Sequence, residues 1–188
     1  MDIEFVRTGE RRYAVRAHRP GIPMVQMNPA PGYDPYLPHD IIHFVVEDEL
    51  GLASGIFGQL ASGGDAGSFY LGPSTMSSRE QARARRKGKK RGARLVRDGR
   101  DQLETTERMA NICRYEWLAR SSKQEDRQEA QEIAGYASRD RENCSESELE
   151  LLSTERIERI CGRFDEVSRA WSQLAVGDSI TLGWRVRA

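Results

Sequence analysis

Polar and apolar residues alternate at the start of the chain. Ile3 and Phe5 alternate with the acidic Asp2 and Glu4, and Tyr13 and Val15 are interleaved with Ala14 and Arg16, around Thr8-Gly9-Glu10. A period of two on both sides of a turn predicts a β-hairpin. A third extended piece, IPMVQMN, comes after the Arg19-Pro20-Gly21 turn. From Asn28 to Pro35 prolines and a glycine come too densely for regular structure, because they remove donors and fix turns. That stretch is expected to be an ordered loop.

The period then changes. Pro38 suits the first position of a helix, where its missing N–H would have no intrahelical partner, and Asp40 places a carboxylate near the positive end of the helix dipole. The apolar content predicts a helix from about Pro38 to about Leu60, with Gly51, Gly55 and Gly58 as weak points or sites of close packing, ended by ASGGDAG at 61–67. Ser77 and Glu80 form an S-x-x-E capping box, which predicts a helix start even though Gly88, Gly92 and Gly99 weaken its later turns. Leu103, Thr106, Ala110, Cys113 and Trp117, widened by Met109 and Ile112, mark a core-facing helix. Residues 121–146 are polar, with Ile133, Ala134 and Tyr136 able to anchor one short helix; the expectation is a mobile stretch. From Leu149 to Leu174 an apolar face runs through Leu152, Ile157, Ile160, Cys161, Phe164, Val167 and Trp171 as one long amphipathic helix. Val176-Gly177-Asp178 breaks it, and SITLGWRV alternates as a last strand.

This order predicts an α+β fold: a small antiparallel sheet, made of the N-terminal hairpin plus the C-terminal strand, packed on three or four helices. The 188 residues suffice for one compact domain with a sizeable core, so residues 1–188 are read as one domain. No uninterrupted apolar run reaches membrane-spanning length, and no apolar segment comes after a basic start, so no membrane association and no processing are expected. Three cysteines without close pairing suggest neither a disulfide framework nor a CxxC site, which fits a cytoplasmic location.

Charge adds a feature that the zero net value conceals. Residues 79–100 hold 11 Lys or Arg against 2 acidic residues, so this segment carries +9 and the rest of the chain −9. Clustered cations neutralise phosphates and release counterions, so Arg79 to Arg100 could contact nucleic acid or an acidic partner. No stacking aromatics interrupt the run, and the competing expectation is a solvated segment lying against the acidic surface of the same molecule.

The candidate chemistry lies in PHDIIHFVVEDELG, residues 38–51. On a helix His39, His43 and Glu47 share one face at i, i+4 and i+8, among Ile41, Ile42, Phe44, Val45, Val46 and Leu50. Two histidines at i and i+4 can both reach one divalent ion, zinc being the natural candidate. Glu47 lies roughly 12 Å along the axis from His39 at ~1.5 Å per residue, too far for one shared ion. It is expected instead behind His43, as an acceptor or as partner to an arginine. Asp40 is the candidate proton acceptor, and Asp40 and Glu47 are the candidate catalytic carboxylates. The third ligand must come from another element, with Glu107, Glu116 and His18 as candidates. The competing reading is structural: Asp40 serves the helix dipole, and His43 with Glu47 forms a buried pair.

The spacing HDIIH resembles the HExxH helix of zinc peptidases, with Asp40 where those enzymes carry glutamate. It also resembles the HDxxH zinc motif of a helical family of coenzyme Q biosynthesis, in which a further glutamate stands a dozen residues later; that position here is Gly55. LPHDIIHFVVEDELGLASGIFGQLASGG together with VGDSITLGW resembles small bacterial proteins that carry PHD-x-x-HFxVE near the N-terminus and a glycine-containing strand at the end. If the His39/His43 site is catalytic, the expected reaction class is metal-assisted hydrolysis or a related proton transfer. The alternative is a non-enzymatic interaction protein acting through its basic segment. No GxSxG, P-loop or strand-linked GxGxxG is present, and Cys113 and Cys161 fall on core stripes, so nucleophilic and dinucleotide chemistry are not expected.

Overall fold

The computed structural model describes residues 1–53, 55–98 and 100–185. Strands β1 (Asp2–Gly9), β2 (Arg12–Arg19) and β3 (Ile22–Ala30) form an antiparallel meander. β4 (Tyr70–Leu71) pairs with β3 and β5 (Ser179–Gly183) with β1, giving the order β4-β3-β2-β1-β5. The fold is α+β, as the patterning predicts.

Register explains the core face. Leu182, Ile3, Ala17, Val25 and Leu71 lie in one row across the five strands, and Ile180, Phe5, Val15 and Met27 in the next. With a side-chain period of two, these rows share one face while Glu4, Arg16 and Gln26 occupy the other. One side of the sheet is thus covered and the other partly solvated, with Val6 and Ala14 buried on it, which alternating strands allow. Asn28 and Pro29, expected in a loop, belong instead to β3. Pro29 is tolerated because it falls in the register shift between the Tyr13–Ala30 and Val15–Met27 pairs, where a missing donor breaks no regular rung.

The helix expected over 38–60 is two helices, α1 (His39–Leu50) and α2 (Ile56–Ala61). Gly51 stops the first in the left-handed conformation at φ 71°, and both Gly51 and Leu52 donate their N–H to the Glu47 carbonyl. The basic segment is α3 (Ser78–Asp98), begun by the expected box: Ser77 N–H donates to Glu80 at 2.9 Å and Glu80 N–H to Ser77 Oγ at 3.4 Å. Helix α4 (Arg100–Ala119) carries the predicted core stripe, with Thr106, Met109, Ala110, Ile112 and Cys113 buried. Gly99 in the basic segment and Val186 at the end of the last expected strand lie outside the described residues.

Two expectations about the C-terminal half are corrected. The one short helix expected within 121–146 is a 19-residue helix, α5 (Gln124–Glu142), packed along α4. It buries only Ala130 and Ala137, so its apolar periodicity is nearly silent; Tyr136, expected as an anchor, is exposed. Polar contacts replace apolar ones: Glu129 pairs with Arg114, Arg141 with Glu116 at 3.0 Å, and Asn111 donates to Asp140 at 2.9 Å. The final amphipathic pattern is interrupted, forming α6 (Glu146–Leu151) and α7 (Thr154–Ser172). Ser145 caps the first in a box with Glu148, and Ser153 caps the second by accepting from Arg156 N–H, so the apolar stripe continues across two independent helix starts.

Helices α1, α4 and α7 pack on one another, and α1 is the central one, with every residue after His39 buried. Rings fasten the sheet to them: Phe5 meets Phe44 edge-on at 6.0 Å and Phe57 at 6.3 Å, and Tyr13 meets Trp171 at 5.8 Å. The C-terminal end of α1 carries Asp48 and Glu49, which the helix dipole disfavours. Arg163 on α7 reaches both, at 2.8 and 2.7 Å, and Arg185 beyond β5 reaches Asp48 at 2.8 Å and Glu49 at 2.5 Å. This node ties the last strand to the central helix. No described helix is long and apolar enough to cross a membrane.

Candidate metal centre

The first turn of α1 is fixed from the loop before it. Asp34 Oδ1 accepts the N–H groups of Tyr36 and Leu37, both at 2.7 Å, and the Asp34 carbonyl accepts Trp171 Nε1–H at 3.0 Å. Gly32, at φ 68°, accepts His39 N–H at 3.1 Å, and a Cβ there would stand 2.7 Å from the His39 Cβ. Glycine is needed at this position both for the backbone angle and for the approach to His39.

One helical turn brings the two imidazoles together. His39 Nε2 and His43 Nε2 are 3.2 Å apart, and Glu107 Oε2, from α4, lies 3.4 Å from His43 Nε2 and 4.0 Å from His39 Nε2. Of the three candidate third ligands, the fold selects Glu107. Among the described residues these are the only three metal-type donors that converge in this way. Glu116 is bound to Arg120 and Arg141, and His18 lies on the sheet against Glu4 at 3.3 Å.

Donors bonded at about 2.0–2.2 Å to a tetrahedral zinc stand about 3.3 Å from one another. Two of the three separations match that edge, and the third is longer by a side-chain adjustment that the half-exposed Glu107 can make. Three electron-rich atoms this close repel unless a cation or shared protons lie between them. His43 is fully buried, whereas His39 and Glu107 are open to solvent, so the cluster has a solid floor and an open side. Three protein ligands with one accessible direction are the pattern of a site that also admits water or substrate.

The electrostatics separate the two histidines. Burial, and then His43 itself, hold His39 below the ordinary imidazole value despite Glu107. For His43 burial acts the same way, but the Glu107 hydrogen bond and the charges of Glu107, Glu47 and Asp40 outweigh it and raise its pKa. Glu107 is lowered, chiefly by its hydrogen bond with His43. His43 Nδ1 is buried without a hydrogen-bond partner, so its ring is aimed by packing rather than by the outer acceptor that usually orients a ligand histidine.

The candidate catalytic carboxylates lie elsewhere. Asp40 is buried against the Tyr13 hydroxyl, which also donates to the Pro31 carbonyl at 2.5 Å. One phenolic hydrogen cannot serve two acceptors. The group is fully satisfied when Asp40 carries a proton, and burial pushes the Asp40 pKa up in that direction. Glu47 is fully buried, and its oxygens accept the N–H groups of Ile56, Phe57 and Gly58 at 2.9, 2.8 and 3.3 Å. It therefore closes the N-terminus of α2, where a carboxylate meets free donors and the positive end of the helix. Burial raises its pKa to about 7 against the opposing effect of His43 and the three N–H groups. A Cβ at Gly55 would fall 2.3 Å from the Glu47 Cδ. Glycine at 55 is what lets the Glu47 carboxylate reach the helix.

The two core thiols are poor nucleophiles. Burial raises the thiol pKa values of Cys113 and Cys161, the latter to about 11, and both are packed in the core. No family model matches this chain, and neither the curated proteins nor the solved structures contain a match.

Proposed function

We propose that the chain binds one divalent metal ion, zinc in particular, through His39, His43 and Glu107, and uses it in metal-assisted hydrolysis or a related proton transfer. The convergence of two imidazole nitrogens and a carboxylate oxygen within 3.2 to 4.0 Å carries this reading. The ion would supply Lewis acidity to a water in the open direction. His39 contributes a nitrogen that is already neutral, and His43 holds the buried side of the site. Glu107 contributes negative charge from a second helix, so that the metal would also join α1 to α4. Glu47 acts at a distance, by charge on His43, while its oxygens hold α2. Asp40 fixes the first turn of α1 through Tyr13.

Metal analysis of untagged protein tests this reading. Close to one equivalent of zinc or another divalent ion is expected, lost in His39→Ala/His43→Ala and reduced at least tenfold in affinity in Glu107→Ala. Metal-free protein whose unfolding is unchanged by chelators and by added zinc would refute it, leaving the cluster as a proton-sharing network. The exposed cations of α3 support a second reading, a non-enzymatic contact with a polyanion, and this surface shares no residue with the cluster.

A further inference from the structure

A second site lies on the far edge of the sheet. Between β3, the 63–65 turn, β4 and helix α3 is a cavity of about 440 Å³, and none of its lining residues belongs to the histidine cluster. Arg19, only 8% exposed, lines it. A guanidinium has five N–H donors. Here Nη1 donates to the carbonyls of Leu60 and Gly64 at 2.9 and 3.1 Å and Nη2 to that of Pro23 at 3.3 Å, while Nε is buried without a partner. Neutral carbonyls position the group but leave its charge uncompensated, and among the described residues no carboxylate forms an ion pair with it. A buried, unpaired charge is costly. Burial accordingly draws the Arg19 pKa below its ordinary value.

The opposite wall multiplies the charge. Arg85, Lys87, Lys89 and Arg91 of α3 line the cavity against one carboxylate, Asp65. Arg85 and Lys89, and Lys87 and Arg91, stand at i,i+4, a spacing at which like charges destabilise a helix. An anion between α3 and Arg19 relieves both costs at once. The remaining wall is apolar and partly open, with Ile22 and the Tyr70 ring both exposed. The Tyr70 hydroxyl donates to the Asn28 carbonyl at 2.9 Å, which pins the ring in place. Such a ring is a platform for a planar group, since every base has a π-face.

We propose that this cavity binds a nucleoside 5′-phosphate, with the phosphate monoester held between Arg19 and the cations of α3 and the base against Tyr70 and Ile22. Arginine forks and clustered lysines suit the doubly charged phosphate better than a single carboxylate. The volume fits one nucleotide, within the range of small-ligand pockets. The same group occurs free, as a mononucleotide, and at the 5′ end of a nucleic acid, and the basic helix continues past the cavity through Arg94 and Arg97.

Calorimetric titration of the full chain separates these cases. Adenosine 5′-monophosphate is expected to bind at least tenfold more tightly than adenosine or inorganic phosphate. Arg19→Met should lose at least tenfold. Because that change could also disturb the fold, Ile22→Glu, at an exposed wall position, should give the same loss with unfolding unchanged, and Arg86→Ala/Lys90→Ala, outside the cavity, should retain binding of the mononucleotide. Tighter binding of a 5′-phosphorylated octanucleotide than of its 5′-hydroxyl twin assigns the site to nucleic-acid ends; mononucleotide binding without that preference assigns it to free nucleotides. Absence of mononucleotide binding with equal binding of the two octanucleotides would overturn the proposal in favour of backbone contact along α3. Mononucleotide affinity unaltered by both Arg19→Met and Ile22→Glu would overturn it as well.

Discussion

Gly55→Ala perturbs one contact whose consequences can be traced closely. The backbone at Gly55 is ordinary, φ −67° and ψ −173°, so alanine meets no torsional penalty there. Its Cβ would nevertheless stand 2.3 Å from Cδ and 2.5 and 2.6 Å from the two oxygens of Glu47, so the carboxylate has to leave. Leaving breaks two good hydrogen bonds and one longer one, at 2.9, 2.8 and 3.3 Å, and strands buried N–H donors. The two good bonds to a charged acceptor contribute about 1.5–3 kcal/mol each, so the loss is about 3–6 kcal/mol. Restricting the unfolded chain returns about 0.4–1 kcal/mol. A net cost of about 3 kcal/mol is expected, a large share of the ~5–15 kcal/mol of a typical domain. The test is a double-mutant cycle in urea at constant m-value. Glu47→Ala alone should also cost several kcal/mol, but in that background Gly55→Ala should cost no more than about 1 kcal/mol, because nothing remains to collide with. Equal costs in the two backgrounds would show that Gly55 is needed for a reason other than contact with Glu47, refuting the assignment.

Groups outside the histidine cluster give two more expected outcomes. Burial pushes Glu148 up, but hydrogen bonds from Thr105, the Ser145 backbone and Arg108 outweigh it and bring its pKa to about 2 from the ordinary 4.5. Since the folded value lies below the unfolded one, its stabilisation is present above pH 4.5 and disappears as pH falls toward about 2. After allowance for solvent screening the difference between wild type and Glu148→Gln should shrink by about 1–2 kcal/mol over that interval, and parallel stability curves for the two proteins would contradict the assignment. Asp40→Asn should cost less than about 1 kcal/mol, because its amide can donate to the Tyr13 oxygen as a protonated carboxyl does, whereas Asp40→Ala should cost about 2 kcal/mol by leaving the phenol short of a partner. Equal urea midpoints for the two variants would show that the contact between position 40 and the Tyr13 hydroxyl contributes no stability.

The site is half legible from the chain. His39 and His43 are neighbours by helical geometry alone, and the rise of a helix is enough to place Glu47 beyond the reach of an ion shared by both. Glu107 is one of three candidates in the sequence because nothing local distinguishes it from Glu116 or His18; it is selected by the packing of α4 on α1. The end of α1 at Gly51 does have a sequence signal, a glycine succeeded by the apolar Leu52, the pattern of a left-handed helix stop. A purely apolar reading carries the helix through it. The full length of helix α5 is not legible for the opposite reason, because a helix that docks through two alanines and several ion pairs has almost no hydrophobic period to read.

By itself the sequence determined what repeats at short range: the strand alternation of β1, β2 and β5, the core stripes of α4 and α7, the capping box before α3, the charge of that helix, and the histidine pair. Each depends on the 2.0- or 3.6-residue period of the backbone, which any local stretch displays. Only the tertiary structure decided which distant groups meet. It set Glu107 opposite the histidines and the Glu47 carboxylate in the space left by Gly55. It also buried Arg19 in a cavity facing α3. Those juxtapositions are made by packing between elements tens of residues apart, and such packing leaves no periodic trace along the chain.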